Sequence, residues 1–100
     1  MKNFRTFDLA VTFYRQVEQV QVSGHLREQL RRAAESIALN LAEGRGRPTR
    51  REQLRFFSIA MGSLRECQAA LTLAGLQGGG AWGACDHLAA SLYRLIQNAR

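Results

Sequence analysis

Five arginines, Arg45, Arg47, Arg50, Arg51 and Arg55, crowd the stretch NLAEGRGRPTRREQLRFF at residues 40–57. Each guanidinium is a permanently charged planar fork whose donors match two oxygens of a phosphate. The chemistry open to such a cluster is capture of a polyanion. Thr49 and Glu52 add a T-x-x-E capping box, which starts a helix whose free N–H groups also favour an anion. On a helical wheel Arg51, Arg55 and Arg65 share the face opposite the apolar stripe with Ser58 and Gly62, while Arg27 and Arg31 share an outer face of the preceding helix. Contacts from these side chains would go mostly to phosphates, giving salt-sensitive binding with weak sequence preference. Phe56 and Phe57 are required by a core or an interface, so aromatics interleaved for base stacking are missing. A structured RNA or a duplex recognised by shape is the expected target, with RNA favoured over DNA.

Catalytic chemistry finds little support. Glu43 and Glu66 fall far apart along a helical hairpin, and His25 and His87 are isolated from any serine. No HExxH or Glu-x-x-His pattern occurs, so no metal, cofactor or enzymatic activity is expected. Cys67 and Cys85 lack CxxC spacing and read as small buried apolar residues. Gln29, Ser36, Asn40 and Glu43 recur at spacings of 7, 4 and 3, a polar stripe bordering an apolar helix face. Folding back at Gly46/Arg47 would set Asn40 near Gln53 and Glu43 near Arg50, closing the arginine-bearing end through hydrogen bonds.

Four helical segments position these groups. Glycines at Gly24, Gly44 to Gly46 and Gly75 to Gly83, with the single proline Pro48, cut the chain into pieces with a helical apolar period. The expected helices span about 7–22, 25–42, 50–74 and 84–98. Short connections between helices of similar length predict an antiparallel up-down four-helix bundle. Trp82 is expected to tuck the loop GLQGGGAWG onto the bundle end. In the third helix Phe56, Phe57, Ala60, Leu64, Cys67, Leu71 and Ala74 form the core stripe, widened by Leu54 and Met61 on one side and Ile59, Ala70 and Leu73 on the other. With Phe7, Tyr14 and Leu39 also placed outside a single core face, subunit contacts are expected. Small residues Ala60, Gly62 and Ser63 opposite Ala33 and Ala34 would allow close helix approach, although Gly62 itself lies off the stripe.

The 100 residues suit a single domain, 1–100. Lys plus Arg is 14 against 8 Asp plus Glu, a formal charge of +6, and every basic residue except Lys2 is arginine. A basic balance favours nucleic acid first and an anionic membrane surface second. No run reaches the length of a membrane span and the N-terminus lacks a signal-peptide core, which predicts a cytoplasmic protein with no membrane partner.

The segments SIALNLAEG at residues 36–44 and RFFSIAMGSLRE at residues 55–66 resemble the four-helix-bundle family of proteins encoded in 23S rRNA intervening sequences. The resemblance runs closely from Gln29 to Leu71 and by layout elsewhere. It implies a ring-like homo-oligomer, a pentamer, with a basic surface. It further implies kinship with the accessory variability determinant of diversity-generating retroelements, which binds a reverse transcriptase and its template RNA. The family has no established catalytic residues. Ser36, Asn40, Glu43, Gly44, Gly62, Ser63 and Glu66 match its signature and read as mostly architectural.

Overall fold

Apolar residues at helical spacing form four long α-helices. The computed structural model describes residues 4–100. Helix α1 spans Arg5–Gln19, α2 Gly24–Arg45, α3 Arg50–Leu73 and α4 Gly80–Ala99. At about 1.5 Å per residue α3 runs about 36 Å, close to the 40 Å long axis of the molecule. Each helix packs on its two neighbours in the order α1, α2, α3, α4 and back to α1, with the α2/α3 seam the most extensive. Consecutive helices therefore run up and down around one core.

That core contains Phe13, Leu30, Ile37, Leu41, Leu64, Leu71, Leu88 and Leu92, all fully buried. Because α3 touches both α2 and α4, its buried stripe is wider than one partner would need. Ala70 is buried, and Leu54 and Met61 pack against the core. The broad apolar arc read from sequence is thus largely intramolecular. Ile59 (42% exposed), Leu73 (78%) and Leu39 (62%) remain outside, joined by Tyr93 (58%). Phe7 and Tyr14 are half-buried.

The linkers show how the sequence ends each helix. Helix α1 stops at Gln19, before Val20 and Val22, which still pack on the core as extended chain. Helix α3 closes in a Schellman motif. The Leu76 amide donates to the Leu71 carbonyl (2.9 Å), and the Gly75 amide to that of Thr72 (3.0 Å). Gly75 stands at φ +72°, a conformation glycine adopts without a Cβ penalty. The glycine run after it is shorter than expected as a loop, because α4 already begins at Gly80 and includes Trp82. Trp82 packs half-buried against the core from within α4.

Cys67 and Cys85 are free and buried. Burial pushes the Cys67 thiol well up, and the Cys85 thiol up to about 11. A hydroxyl pair not anticipated from sequence, Thr6 and Ser91, joins α1 to α4 at 2.7 Å inside the protein. Among the described residues no helix is long and apolar enough to cross a membrane.

Candidate nucleic-acid interface

The turn from α2 into α3 is built from backbone and cap. Arg47 N donates to Gly44 O at 3.1 Å, and Gln53 Nε2 donates to Arg47 O at 3.0 Å. Thr49 Oγ1 accepts from the Glu52 amide (3.2 Å) and donates to Glu52 Oε2 (3.0 Å). The expected cap is present, although Glu52 returns to the Thr49 hydroxyl and not to its backbone amide.

Gly44 belongs to α2 and is buried. A Cβ there would stand 2.7 Å from Phe57 Cε1 and 3.0 Å from Phe56 Cβ. The absence of that carbon lets α3 close on α2 directly beneath the turn. Phe57 is thereby buried, with Phe4 packed against it at 6.4 Å between ring centroids. These rings support the cations. The Arg45 guanidinium lies 4.5 Å from the centroid of Phe4, and Arg47 and Arg55 lie 4.9 and 5.3 Å from that of Phe56. Each such contact is worth roughly 0.5–1 kcal/mol at an exposed site, and it holds the fork without consuming its charge.

The arginines then divide. Arg47 pairs with Glu43 at 2.6 Å, and its Nε is buried without a hydrogen-bond partner. It acts as a strut under the turn. Arg45, Arg50, Arg51 and Arg55 are exposed, and none enters an ion pair among the described residues. Arg50 and Arg51 occupy the first two positions of α3, where a cation opposes the helix dipole. The cap and the cations together produce an end with concentrated positive potential.

Three predicted site residues lie elsewhere. Arg27 and Arg31 are about 20 Å or more down α2 from Arg45, and Arg65 is about 20 Å along α3 from Arg51. Arg27 donates to Val20 O (3.1 Å) and Arg65 to Gln68 Oε1 (2.8 Å). Arg31 is tied to Glu28 (2.8 Å) and Glu35 (3.5 Å). Its hydrogen bond to Glu28 is the main cause that raises its pKa, and Arg31 and Arg32 lower that of Glu28. Conversely, sequence reasoning missed Arg5 and Arg100. The up-down order returns the start of α1 and the end of α4 to the arginine turn, and both residues are exposed there. Tracing the predicted topology to the chain ends would have found them.

The polar stripe also needs correction. Asn40 does not meet Gln53, nor Glu43 Arg50. Ser36 faces Ser63 (2.8 Å) and Gly44 faces Phe56 and Phe57, so the residue level with Asn40 is near Ala60. Gln53 lies about two helical turns away. Asn40 instead donates within α2 to Ser36 O (2.9 Å) and Ser36 Oγ (3.1 Å). Gln29 contacts His25 at 3.2 Å on the surface, and Glu66 is exposed. The one interhelical polar bridge of the set is Ser36 to Ser63. Among the described residues no group of three metal-ligating side chains comes together.

Comparison with curated proteins finds no match to this chain. Residues 4–79 match the family model described as 23S rRNA-intervening sequence protein. The matched region takes in α1 to α3 and the loop after them, stopping just before α4 at Gly80. With well over half its length matched, and with four packed helices in the expected order, the chain belongs to the 23S rRNA-intervening sequence protein family.

Proposed function

We propose that this protein is a non-enzymatic, cytoplasmic RNA-binding accessory protein that grips phosphates with Arg45, Arg50, Arg51 and Arg55. The observation that carries the reading is the placement of Arg50 and Arg51. Two cations without carboxylate partners stand at a helix N-terminus, where each costs a few tenths of a kcal/mol to about 1 kcal/mol of helix stability. A phosphate at that spot reverses the sign, because it meets both the guanidinium forks and the free N–H groups. The family name, which refers to intervening sequences of 23S rRNA, favours RNA over DNA.

The test is electrophoretic mobility or anisotropy with an RNA duplex across a salt series. The triple variant R50Q/R51Q/R55Q should melt close to the parent, since relief of the unfavourable dipole interactions at Arg50 and Arg51 offsets loss of the Arg55–Phe56 contact. It should lose on the order of a hundredfold in affinity at low salt. For four neutralised phosphates, parental binding should itself fall about a hundredfold between 50 and 200 mM salt. Equal binding by parent and variant would refute the reading.

A second reading is supported by the exposed apolar residues. Leu39, with Val11, Tyr14 and Ala38, lines a groove of about 260 Å³ between α1 and α2. Such a surface suits self-association into a pentameric ring, or docking on a reverse transcriptase of a diversity-generating retroelement. Light scattering that gives a monomer at high micromolar concentration would remove the ring. Absence of co-purification with a co-expressed reverse transcriptase would remove the docking.

A further inference from the structure

The arginine end contains a cavity as well as a surface. It measures about 300 Å³ and is lined by Phe4, Arg45, Arg50, Gln53, Phe57, Leu95, Asn98 and Ala99, so α2, α3, α4 and the residue that caps α1 all contribute. Its composition is divided. Phe57, Leu95 and Ala99 give apolar wall, whereas Arg45 and Arg50 bring two charged forks to the same space. The Arg45 guanidinium is braced on one face by Phe4. Gln53 spends its amide nitrogen on the Arg47 carbonyl, and Asn98 is exposed at the rim. A purely structural hollow between helix ends would need no cations. A site for phosphate alone would need no apolar wall. Volume and lining fit a ligand that has both a flat apolar part and a phosphate, within the lower range of small-ligand pockets. Arginine planes and apolar side chains are the surfaces on which an unstacked base rests.

We infer that this cavity receives a single unpaired nucleotide, its phosphate on Arg45 and Arg50 and its base against the half-buried Leu95 and Ala99. The inference rests on the RNA-binding reading and sharpens it. The arginine surface follows the backbone, and the cavity selects RNA in which one nucleotide is free to leave the stack.

The experiment compares two fluorescein-labelled RNA duplexes of equal length, one perfectly paired and one with a single unpaired adenosine, by anisotropy at fixed low salt. The parent should prefer the bulged RNA about tenfold. Ala99→Trp fills the cavity, and Asn98→Trp caps it from an exposed position that leaves the core untouched. Both should bring the preference to about one. A second arm titrates the isolated nucleotide AMP, with inorganic phosphate as control, by following the Asn98 and Ala99 amide resonances. AMP should shift these amides at concentrations where phosphate does not. Equal binding of both duplexes by the parent would overturn the cavity assignment and leave the arginine surface standing. Should neither duplex bind while AMP titrates the cavity, the ligand is a free nucleotide, and the RNA reading falls together with this assignment.

Discussion

The two ends of the bundle solve one problem with different chemistry. Both must reverse the chain between long helices. At the α2/α3 end the reversal is short, capped by Thr49, braced by Gln53 and the Arg47–Glu43 pair, and compressed by Gly44 against Phe57. At the α3/α4 end it relies on Gly75, a Schellman closure and a run of glycines carrying no charge. The glycine-rich end relies on backbone freedom. The arginine end relies on packing, which braces the Arg45, Arg47 and Arg55 guanidinium groups on Phe4 and Phe56. Rigidity is the difference that matters for a binding surface, since less side-chain entropy is lost when ordered forks meet a ligand.

This contrast can be broken at several positions. Gly44→Leu should destabilise the fold most, by about 3 kcal/mol, because the new side chain meets a buried ring with no space to yield; urea unfolding measures it. The mirror control is Gly62→Ala on the exposed side of α3, where no atom lies within 4 Å. That change should add about 1 kcal/mol of stability. Neutralising the far-end cations, R15Q/R27Q, should change RNA affinity less than threefold, against the roughly hundredfold loss for R50Q/R51Q/R55Q. A comparable loss from both sets would erase the distinction between the ends. Gly75→Ala should cost about 1–2 kcal/mol through its left-handed backbone, with RNA affinity unchanged.

A further effect concerns alkali. Cys85, buried in the protein, titrates near 11 where an ordinary thiol titrates near 9, and Cys67 is shifted in the same direction. The unfolded chain therefore releases these protons first. Their contribution is complete below about pH 9 and declines as pH rises toward 11. The melting temperature of C67A/C85A should fall less steeply over that window than that of the parent.

Much of the fold was legible because it rests on period. Leu26, Leu30, Ile37 and Leu41 announce α2 wherever it packs, and the Thr49–Glu52 pair marks where α3 begins. Boundaries were less legible where glycine starts a helix, as at Gly80, since glycine signals a break only until packing overrides it. The site was half legible. Arg45, Arg50, Arg51 and Arg55 lie close in sequence and close in space. Gly44 gave no sign of its role, because its importance lies in the ring that approaches it from another helix. The Asn40–Gln53 pairing failed for lack of register: polarity placed both residues on facing edges but could not say at which height. The Thr6–Ser91 pair joins positions 85 residues apart, and nothing local to either announces the other.

Phe4 and Ala99 line the same cavity. A bulky label placed beside Phe4 or Ala99 would therefore hang over the cationic crown. An acidic or histidine-rich appendage could quench binding or counterfeit it. A handle inserted at Gly78, in the neutral glycine run at the opposite pole, would leave that crown unobstructed.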